Sequence, residues 1–251
     1  MLELQQLSRH FGGVKAVDEL DMEVKAGEIH GLIGPNGSGK STTVNLISGV
    51  YKPSSGLIRF KGKDLGELET DERATLGISR TFQNIRLFGN LTVWQNVWAA
   101  RVIRQQGFKG FRERWLSGAS AARQASEALL SFGGLEDKRD VLAANLAFGE
   151  QRRLELIRAA ASGSELLLLD EPAAGMNAEE IHDLESRIRE LRNLGRTIVL
   201  IEHHMELVMN VCDRITVLNF GRKIAEGKPV EVQQMPAVQA AYLGTEVKVA
   251  A

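Results

Sequence analysis

The chain has 251 residues, of which 43% are hydrophobic and 25% charged, an ordinary composition for a globular protein with one large domain or two modest ones. The formal net charge of −1 gives no overall basic field, which argues against nucleic acid as a partner. Cys212 is the only cysteine and cannot form an internal disulfide, so we expect a reducing, cytoplasmic compartment.

The first third of the chain is predicted to form short strands around one glycine-rich loop. The opening residues, MLELQQLSRHF, lack the apolar core of a signal peptide, while LELQQL and GEIHGLI have the composition of strands. GPNGSGKST interrupts this pattern, and TTVNLISGV follows it as a short helix. LIRFKGKDL then returns to strand-like alternation.

The middle of the chain changes in composition. From about Leu91 to Ala144, Ala, Arg, Gln, Trp and Leu dominate, and ARQASEALLSF is typical of a helix. We interpret this stretch as an inserted helical lobe. Its segment GFKGFRERWLSG, residues 107–118, could also be no more than a solvated basic helix face.

The last third is predicted to alternate strands and helices. LLLLDE is a buried strand ending in carboxylates, TIVLIE a second buried strand and RITVLNF a third. An amphipathic helix that ends at Gly195 lies between the first two strands. MELVMNVC is predicted to form a helix between the second and the third. The apolar face of the first helix is predicted to contain Ile181, Leu184, Ile188, Leu191 and Leu194. This alternation indicates the α/β class, with a parallel sheet covered by helices. The apolar runs LLLL and TIVLI are too short to span a bilayer, so any membrane role is expected to come through a partner.

The glycine-rich loop, residues 34–41, fits the pattern G-x-x-x-x-G-K-[ST] between a predicted strand and a predicted helix. Its successive backbone N–H groups and the helix N-terminus suit phosphate oxygens. We expect Lys40 to reach the β- and γ-phosphates and Ser41 to ligate Mg²⁺. The loop residues expected to bind the nucleotide are Asn36, Gly37, Ser38, Gly39, Lys40, Ser41 and Thr42.

Asp170 and Glu171 follow the buried strand LLLL. Ligands of parallel sheets bind outside the carboxyl ends of the strands, so Asp170 is expected near Mg²⁺, through a water molecule. Glu171 is then free to orient a water toward the γ-phosphate. Taken alone, this acidic strand end could equally cap the next helix.

Five motifs stand in a fixed order along the chain: GPNGSGKST, TFQ at 81–83, LAFGEQRR at 146–153, LLLLDEP and IEHH at 201–204. This order resembles the ATP-binding subunits of ABC transporters. The resemblance implies a P-loop NTPase of ABC type, with a RecA-like core and mainly parallel sheet, an N-terminal antiparallel β subdomain and an inserted helical subdomain. It implies one ABC ATPase domain over residues 1–251, divided into 1–90, 91–162 and 163–251.

The resemblance also implies roles for single residues. Phe11 would stack on the adenine, with Ala16 packed against the same ring. Gln83 would reach Mg²⁺ or the attacking water, which gives Ser41, Gln83 and Asp170 as metal ligands. His203 would bind the γ-phosphate and act with Glu171 and Gln83 in catalysis. In isolation, each of Phe11, Gln83 and His203 could be an ordinary structural residue.

The segment LAFGE aligns with the L-S-G-G-Q signature, which closes over the ATP of a second subunit in this family. Ala147, Phe148, Gly149 and Glu150 are therefore expected to act on the opposite subunit's ATP, with Gly149 the one glycine kept. Asn177 stands where the family usually has Asp. His204, beside His203, is a second departure and leaves the choice between the two histidines open by one position.

Finer features, among them DEPAAGMN and IEHHMELVM, look like the branched-chain or hydrophobic amino acid importers. The resemblance implies ATP and Mg²⁺ as cofactors, and a location on the inner face of the cell membrane. It implies three kinds of partner: integral membrane permease subunits docked on the helical lobe, a second ATP-binding subunit, and indirectly a solute-binding protein. A urea or amide importer and a lipid or polysaccharide exporter remain alternatives. A P-loop kinase, a GTPase and a non-catalytic protein fit the motif order less well.

Overall fold

Two sheets and a helical lobe make up the computed structural model, which describes residues 1–102 and 118–243. The strands are β1 (Leu2–Phe11), β2 (Val14–Val24), β3 (Ile29–Ile33), β4 (Ser55–Phe60), β5 (Lys63–Asp64), β6 (Ile78–Arg80), β7 (Leu166–Asp170), β8 (Thr197–Ile201), β9 (Arg214–Asn219) and β10 (Arg222–Gly227). The helices are α1 (Lys40–Ser48), α2 (Thr70–Leu76), α3 (Val93–Val102), α4 (Gly118–Gly133), α5 (Phe148–Ala161), α6 (Ala178–Asn193), α7 (Met205–Val211), α8 (Pro229–Gln233) and α9 (Pro236–Leu243).

The larger sheet has the order β10-β9-β3-β8-β7-β6 and is parallel except for the β9–β10 pair. Every residue of β3, β7 and β8 is buried, which explains why these strands are continuous apolar runs. In register, Asp170 lies beside Ile201, which in turn lies beside Leu32. The three strands therefore end at one edge, where the loops after each of them meet.

The smaller sheet is antiparallel, with the order β2-β1-β4-β5. Its strands alternate buried and exposed residues because one face packs on the core and the other faces solvent. Leu4, Leu20 and Ile58 point to the same apolar cluster as Leu168 of the larger sheet. The two sheets thus share one core.

The helical lobe has an apolar cluster of its own, formed by α3, α4, α5 and the segment between α4 and α5. Its buried members include Val93, Val97, Leu130, Leu135, Leu146, Leu154 and Ile157. Most of the segment 107–118 that was expected to meet a permease lies outside the described residues. No helix in the described part of the chain is long and apolar enough to cross a membrane.

Helix α6 lies within the range that its sequence predicts, between Ala178 and Asn193. Asn177 caps it by accepting a hydrogen bond from the Glu180 amide at 3.0 Å. The buried apolar face contains Ile181, Leu184, Ile188 and Leu191. The expectation for Leu194 is wrong, because the helix ends at Asn193 and the Leu194 side chain is 65% exposed.

Candidate active site

The glycine-rich loop joins β3 to α1 and needs glycine at two positions. A Cβ on Gly34 would lie 2.1 Å from the Leu218 carbonyl oxygen, and one on Gly39 would lie 2.4 Å from the Ala16 carbonyl oxygen. Both glycines also have positive φ, 151° and 105°. The loop is therefore wrapped closely between β2 and β9, and its backbone conformation is fixed by its neighbours.

Lys40, the first residue of α1, is buried at the base of this loop. Its ammonium donates to the carbonyls of Gly34 at 2.7 Å and Pro35 at 3.0 Å. Burial lowers the pKa of Lys40, while the negative charges of Glu171 and Asp170 act in the opposite direction. The ammonium thus stands between the loop and the two predicted carboxylates.

A pocket of about 270 Å³ opens over the loop. It is lined by Val14, Lys15, Ala16, Gly37, Ser38, Gly39, Lys40, Ser41, Thr42 and Phe220. The buried Ser38 hydroxyl has no hydrogen-bond partner among the described residues, as expected for a group kept for a ligand. Of the residues predicted to hold the nucleotide, Asn36 and Phe11 do not line this pocket.

Asp170 ends β7 and is buried. Its carboxylate accepts from the Arg80 guanidinium at 2.7 Å, and its amide donates to the Thr81 hydroxyl at 3.2 Å. Arg80 also reaches the Asn45 side chain on α1 at 2.6 Å. Arg80 therefore connects the predicted Mg²⁺ carboxylate to the helix that follows the phosphate loop.

The three residues predicted to act in catalysis lie together. The Gln83 amide donates to Glu171 Oε2 at 2.8 Å, and His203 Nδ1 lies 3.9 Å from Glu171 Oε1. Glu171 has a φ of 50°, an unfavourable value that is common at functional sites. Glu171 therefore has one hydrogen-bonding neighbour, Gln83, and lies within ion-pair distance of His203, whose Nδ1 is also 3.8 Å from Glu202 Oε2. The catalytic roles themselves stay predictions.

The geometry distinguishes the two adjacent histidines. His204 is the N-cap of α7, where its Nδ1 accepts from the Leu207 amide at 3.4 Å. His203 instead faces Glu171 and is 62% exposed at its side chain. His203 is therefore the better placed of the pair to meet a ligand.

Glu202 is a site residue that the sequence reasoning missed. Its fully buried carboxylate accepts from the amides of Ala173 (2.8 Å), His203 (3.0 Å) and His204 (3.2 Å). It thereby ties the loop after β7 to the loop after β8. The available signal was a charged residue directly after the apolar run TIVLI, since a buried carboxylate needs such partners.

Helix α5 holds the loop of residues 81–88 through two buried side chains, which were also missed. The Arg152 guanidinium donates to the carbonyls of Phe82 (3.3 Å) and Gln83 (2.6 Å), and pairs with Glu155 at 3.3 Å. Glu155 accepts from the Phe82 amide at 3.4 Å, and burial raises the pKa of its carboxyl. The backbone of Gln83 is thus fixed by the helix that begins at the signature segment.

The signature segment forms the N-terminus of α5. Ala147 is the N-cap, and its amide donates to Glu150 Oε2 at 3.0 Å. The Lys138 ammonium pairs with the Glu150 carboxylate at 3.3 Å. The negative charge of Glu150 is therefore compensated within the same chain. A Cβ on Gly149 would lie 2.1 Å from Glu180 Oε1, so a side chain there would displace the carboxylate that accepts from the Asn177 amide at the start of α6.

Phe148 occupies the position of the first signature glycine. Its ring is 47% exposed, packs against Gly175, and has the Arg152 guanidinium 5.4 Å from its centre. A Cβ on Gly175 would lie 3.0 Å from this ring. The signature segment and the loop after β7 are therefore in direct contact within one chain.

Of the two residues predicted to contact the adenine, Phe11 lies outside the lining of the phosphate pocket. The Phe11 ring packs edge-on against Tyr51 at 5.2 Å, with the Arg9 guanidinium 4.7 Å from its centre. Ala16 lines the pocket itself. Stacking of Phe11 on adenine stays a prediction.

Comparison with known proteins places this geometry in a family. Residues 17–174 match the ABC transporter family, and residues 222–248 match the branched-chain amino acid ATP-binding cassette transporter family. The chain is 43% identical to the high-affinity branched-chain amino acid transport ATP-binding protein LivG of Salmonella typhimurium, over 97% of this chain and 98% of LivG. It is 32% identical to the lipopolysaccharide export system ATP-binding protein LptB of Haemophilus influenzae, over 99% of each chain.

The fold also matches solved structures. The ADP conformation of MJ1267, an ATP-binding cassette of an ABC transporter, has a TM-score of 0.85 and 31% identity, over 97% of this chain and 98% of that one. The predicted α/β fold of ABC type is thus confirmed. The chain belongs to the ABC transporter family and is an ATP-binding, ATP-hydrolysing cassette of that family.

Proposed function

We propose that the chain is the ATP-hydrolysing subunit that powers membrane import of branched-chain or other hydrophobic amino acids. The observation that carries this proposal is the 43% identity to LivG along 97% of the chain, together with the match of residues 222–248 to the branched-chain family. A lipopolysaccharide exporter is the second candidate, because LptB is similar over the same length, but at 32% identity.

The chemistry proposed is attack of a water molecule on the γ-phosphorus of ATP. The loop amides, the free Ser38 hydroxyl and the Lys40 ammonium would hold the phosphates. Glu171, oriented by Gln83 and His203, would hold the attacking water in line. The protein would act mainly by positioning and by stabilising the charge on the transferred group.

Mg²⁺ fits the oxygen donors at this edge of the sheet. Ser41 lines the pocket, and Asp170 ends the neighbouring strand. When bound, the ion would neutralise charge between the β- and γ-phosphates. Gln83 is proposed to approach the same position when it leaves its hydrogen bond to Glu171.

A second ATP-binding subunit would complete the site. In the described residues, no member of the signature segment lines the phosphate pocket, while Phe148 is exposed at the start of α5. The segment is therefore proposed to act on the ATP of the opposite subunit, through the Gly149 backbone and the N-terminus of α5. ATP would then favour the closed dimer because it contacts both subunits only in that state.

The proposed docking place for a permease is a groove of about 450 Å³ between the core and the helical lobe. Its lining includes Val50, Ala74, Phe82, Phe88, Ala100 and Arg158. Phe82 and Phe88 of the loop of residues 81–88 line this groove. A change in the position of Gln83, which lies in the same loop, would therefore alter the surface that contacts the permease. In this proposal the chain is peripheral on the cytoplasmic face of the membrane. The solute-binding protein acts on the opposite face.

Reconstitution would test the function. The membrane subunits are first identified by co-purification and are then co-expressed with the chain. The complex is reconstituted in vesicles, and the uptake of labelled leucine is measured in the presence of ATP. We expect ATP-dependent uptake that stops with Lys40→Ala. ATP-dependent movement of urea or of a lipid, without leucine uptake, would contradict the proposed substrate class.

A further inference from the structure

The turn between β9 and β10 presents Phe220 to solvent. Among the described residues it is the most exposed large hydrophobic side chain, at 85%. Its φ of 45° lies in the left-handed region, which a bulky residue adopts only when its surroundings impose it. Both the exposure and the backbone conformation are unfavourable for the chain alone, and such features are typical of a binding position.

The turn is held firmly against the phosphate loop. The Gly221 amide donates to the Ser38 carbonyl at 3.0 Å, and the Gly221 carbonyl accepts from the Asp18 amide at 2.9 Å. Arg222 pairs with Asp18 at 2.6 Å. Gly221 has a φ of 81°, and a Cβ there would lie 2.9 Å from the Lys15 carbonyl oxygen. The backbone directly after Phe220 is therefore tied to Ser38 and to Asp18.

Phe220 lines the same pocket as Lys40 and Ser41. With Val14 and Ala16 it forms an apolar flank beside the polar floor of the loop. A nucleotide has this same division, since its phosphates are charged while its base and the carbon face of its ribose are flat or apolar. Sites for small molecules commonly pair an apolar wall with a few polar groups in this way.

We propose that Phe220 packs against the nucleoside part of the bound nucleotide as a second aromatic contact. This inference rests on the proposed nucleotide site. Phe11, the aromatic expected there from the family resemblance, already packs against Tyr51 and Arg9. Phe220 has no such ring contact among the described residues, and its face is open for a base or a sugar.

The test compares ADP with inorganic pyrophosphate by calorimetry. Phe220→Asn removes the ring and keeps the turn, because asparagine tolerates a positive φ. We expect the Kd for ADP to rise about tenfold and the Kd for pyrophosphate to stay within twofold, since loss of one stacked aromatic weakens binding by roughly that factor. Phe220→Tyr should bind both probes as the wild type does, as should Val230→Ala, another exposed apolar position.

Three results would overturn the inference. Unchanged ADP affinity in Phe220→Asn would show that the ring does not touch the nucleoside, and a parallel loss of ADP and pyrophosphate would show that the phosphate loop itself had been disturbed. Unchanged ADP affinity combined with loss of an ATP-dependent dimer would make Phe220 an interface residue. Lys40→Ala separates the two proposals, because retained binding of both probes by that variant would refute the nucleotide site as well.

Discussion

Replacing Arg152 with methionine should detach α5 from the loop that carries Gln83. The buried guanidinium donates to the Gln83 carbonyl at 2.6 Å and pairs with Glu155 at 3.3 Å. Methionine fills a similar volume but has neither charge nor donors. The variant therefore leaves a buried carboxylate and two carbonyls without their partner.

Removing one member of a buried ion pair typically costs about 3–5 kcal/mol, because the other charge stays buried and unpaired. Domains have a free energy of unfolding of about 5–15 kcal/mol. Arg152→Met should therefore still fold, but with a measurably lower free energy of unfolding. The double variant Arg152→Met/Glu155→Gln should lose less than the sum of the single variants, since no charge is left unpaired. Arg153→Met is the matched control on the same helix turn, and urea unfolding at pH 7 is the assay.

The same variant should affect turnover more than binding. Gln83 is joined through its side chain to Glu171, so freeing its backbone should lower kcat by about tenfold or more. The Kd for ATP should stay within twofold, because Arg152 does not line the phosphate pocket. Equal kcat values in Arg152→Met and Arg153→Met would show that the Arg152 guanidinium does not hold Gln83 in place for turnover.

The pH dependence of stability gives an independent check. Burial raises the pKa of Glu155, so its carboxyl binds a proton more tightly in the folded state than in the unfolded one. The associated stability is present below the usual carboxyl pKa and is lost as the pH rises through the raised, folded value. This loss should become larger in Arg152→Met and disappear in Glu155→Gln. Identical pH profiles in the two variants would contradict the pairing.

Three further substitutions follow from the packing. Ala147→Ser should raise the free energy of unfolding by about 0.5–1 kcal/mol, because serine at an N-cap supplies the acceptor that alanine lacks. A denaturation curve that shows no increase in this free energy would contradict the cap. Gly149→Asp places a second carboxylate against Glu180, so we expect loss of ATPase activity with ADP affinity within twofold, and retained turnover would count against the role of this segment. Arg73→Met should cost about 3 kcal/mol in urea unfolding, and a loss under about 1 kcal/mol would refute the structural role of its guanidinium. That buried guanidinium donates to the carbonyls of Leu46, Ile47, Leu65 and Leu68.

The parts of the site that the sequence predicted are those governed by local spacing. The phosphate loop is contiguous, and Glu171 directly follows an apolar strand, so both can be located from their immediate neighbours. These two inferences need only periodicity and the geometry of parallel sheets. His203 was implied by the family resemblance alone, and the structure places its Nδ1 3.9 Å from Glu171 Oε1.

Contacts between distant segments could not be predicted in this way. Arg80 and Asp170 are separated by 90 positions, and Glu202 binds the Ala173 amide 29 positions away, a partner that its own neighbours do not identify. Phe220 is similar, because only the folded chain brings its turn beside Ser38. For Gly149 the place in the signature pattern suggested approach to phosphate, while the structure adds close packing against the Glu180 carboxylate.

The proposed mechanism is tested most directly by the behaviour of Glu171→Gln with ATP and Mg²⁺. We predict that this variant binds ATP with wild-type affinity, hydrolyses it at less than about one hundredth of the wild-type rate, and sediments as a dimer only when ATP is present. Turnover close to that of the wild type would contradict the assignment of Glu171 as the residue that holds the attacking water, and with it the proposed mechanism.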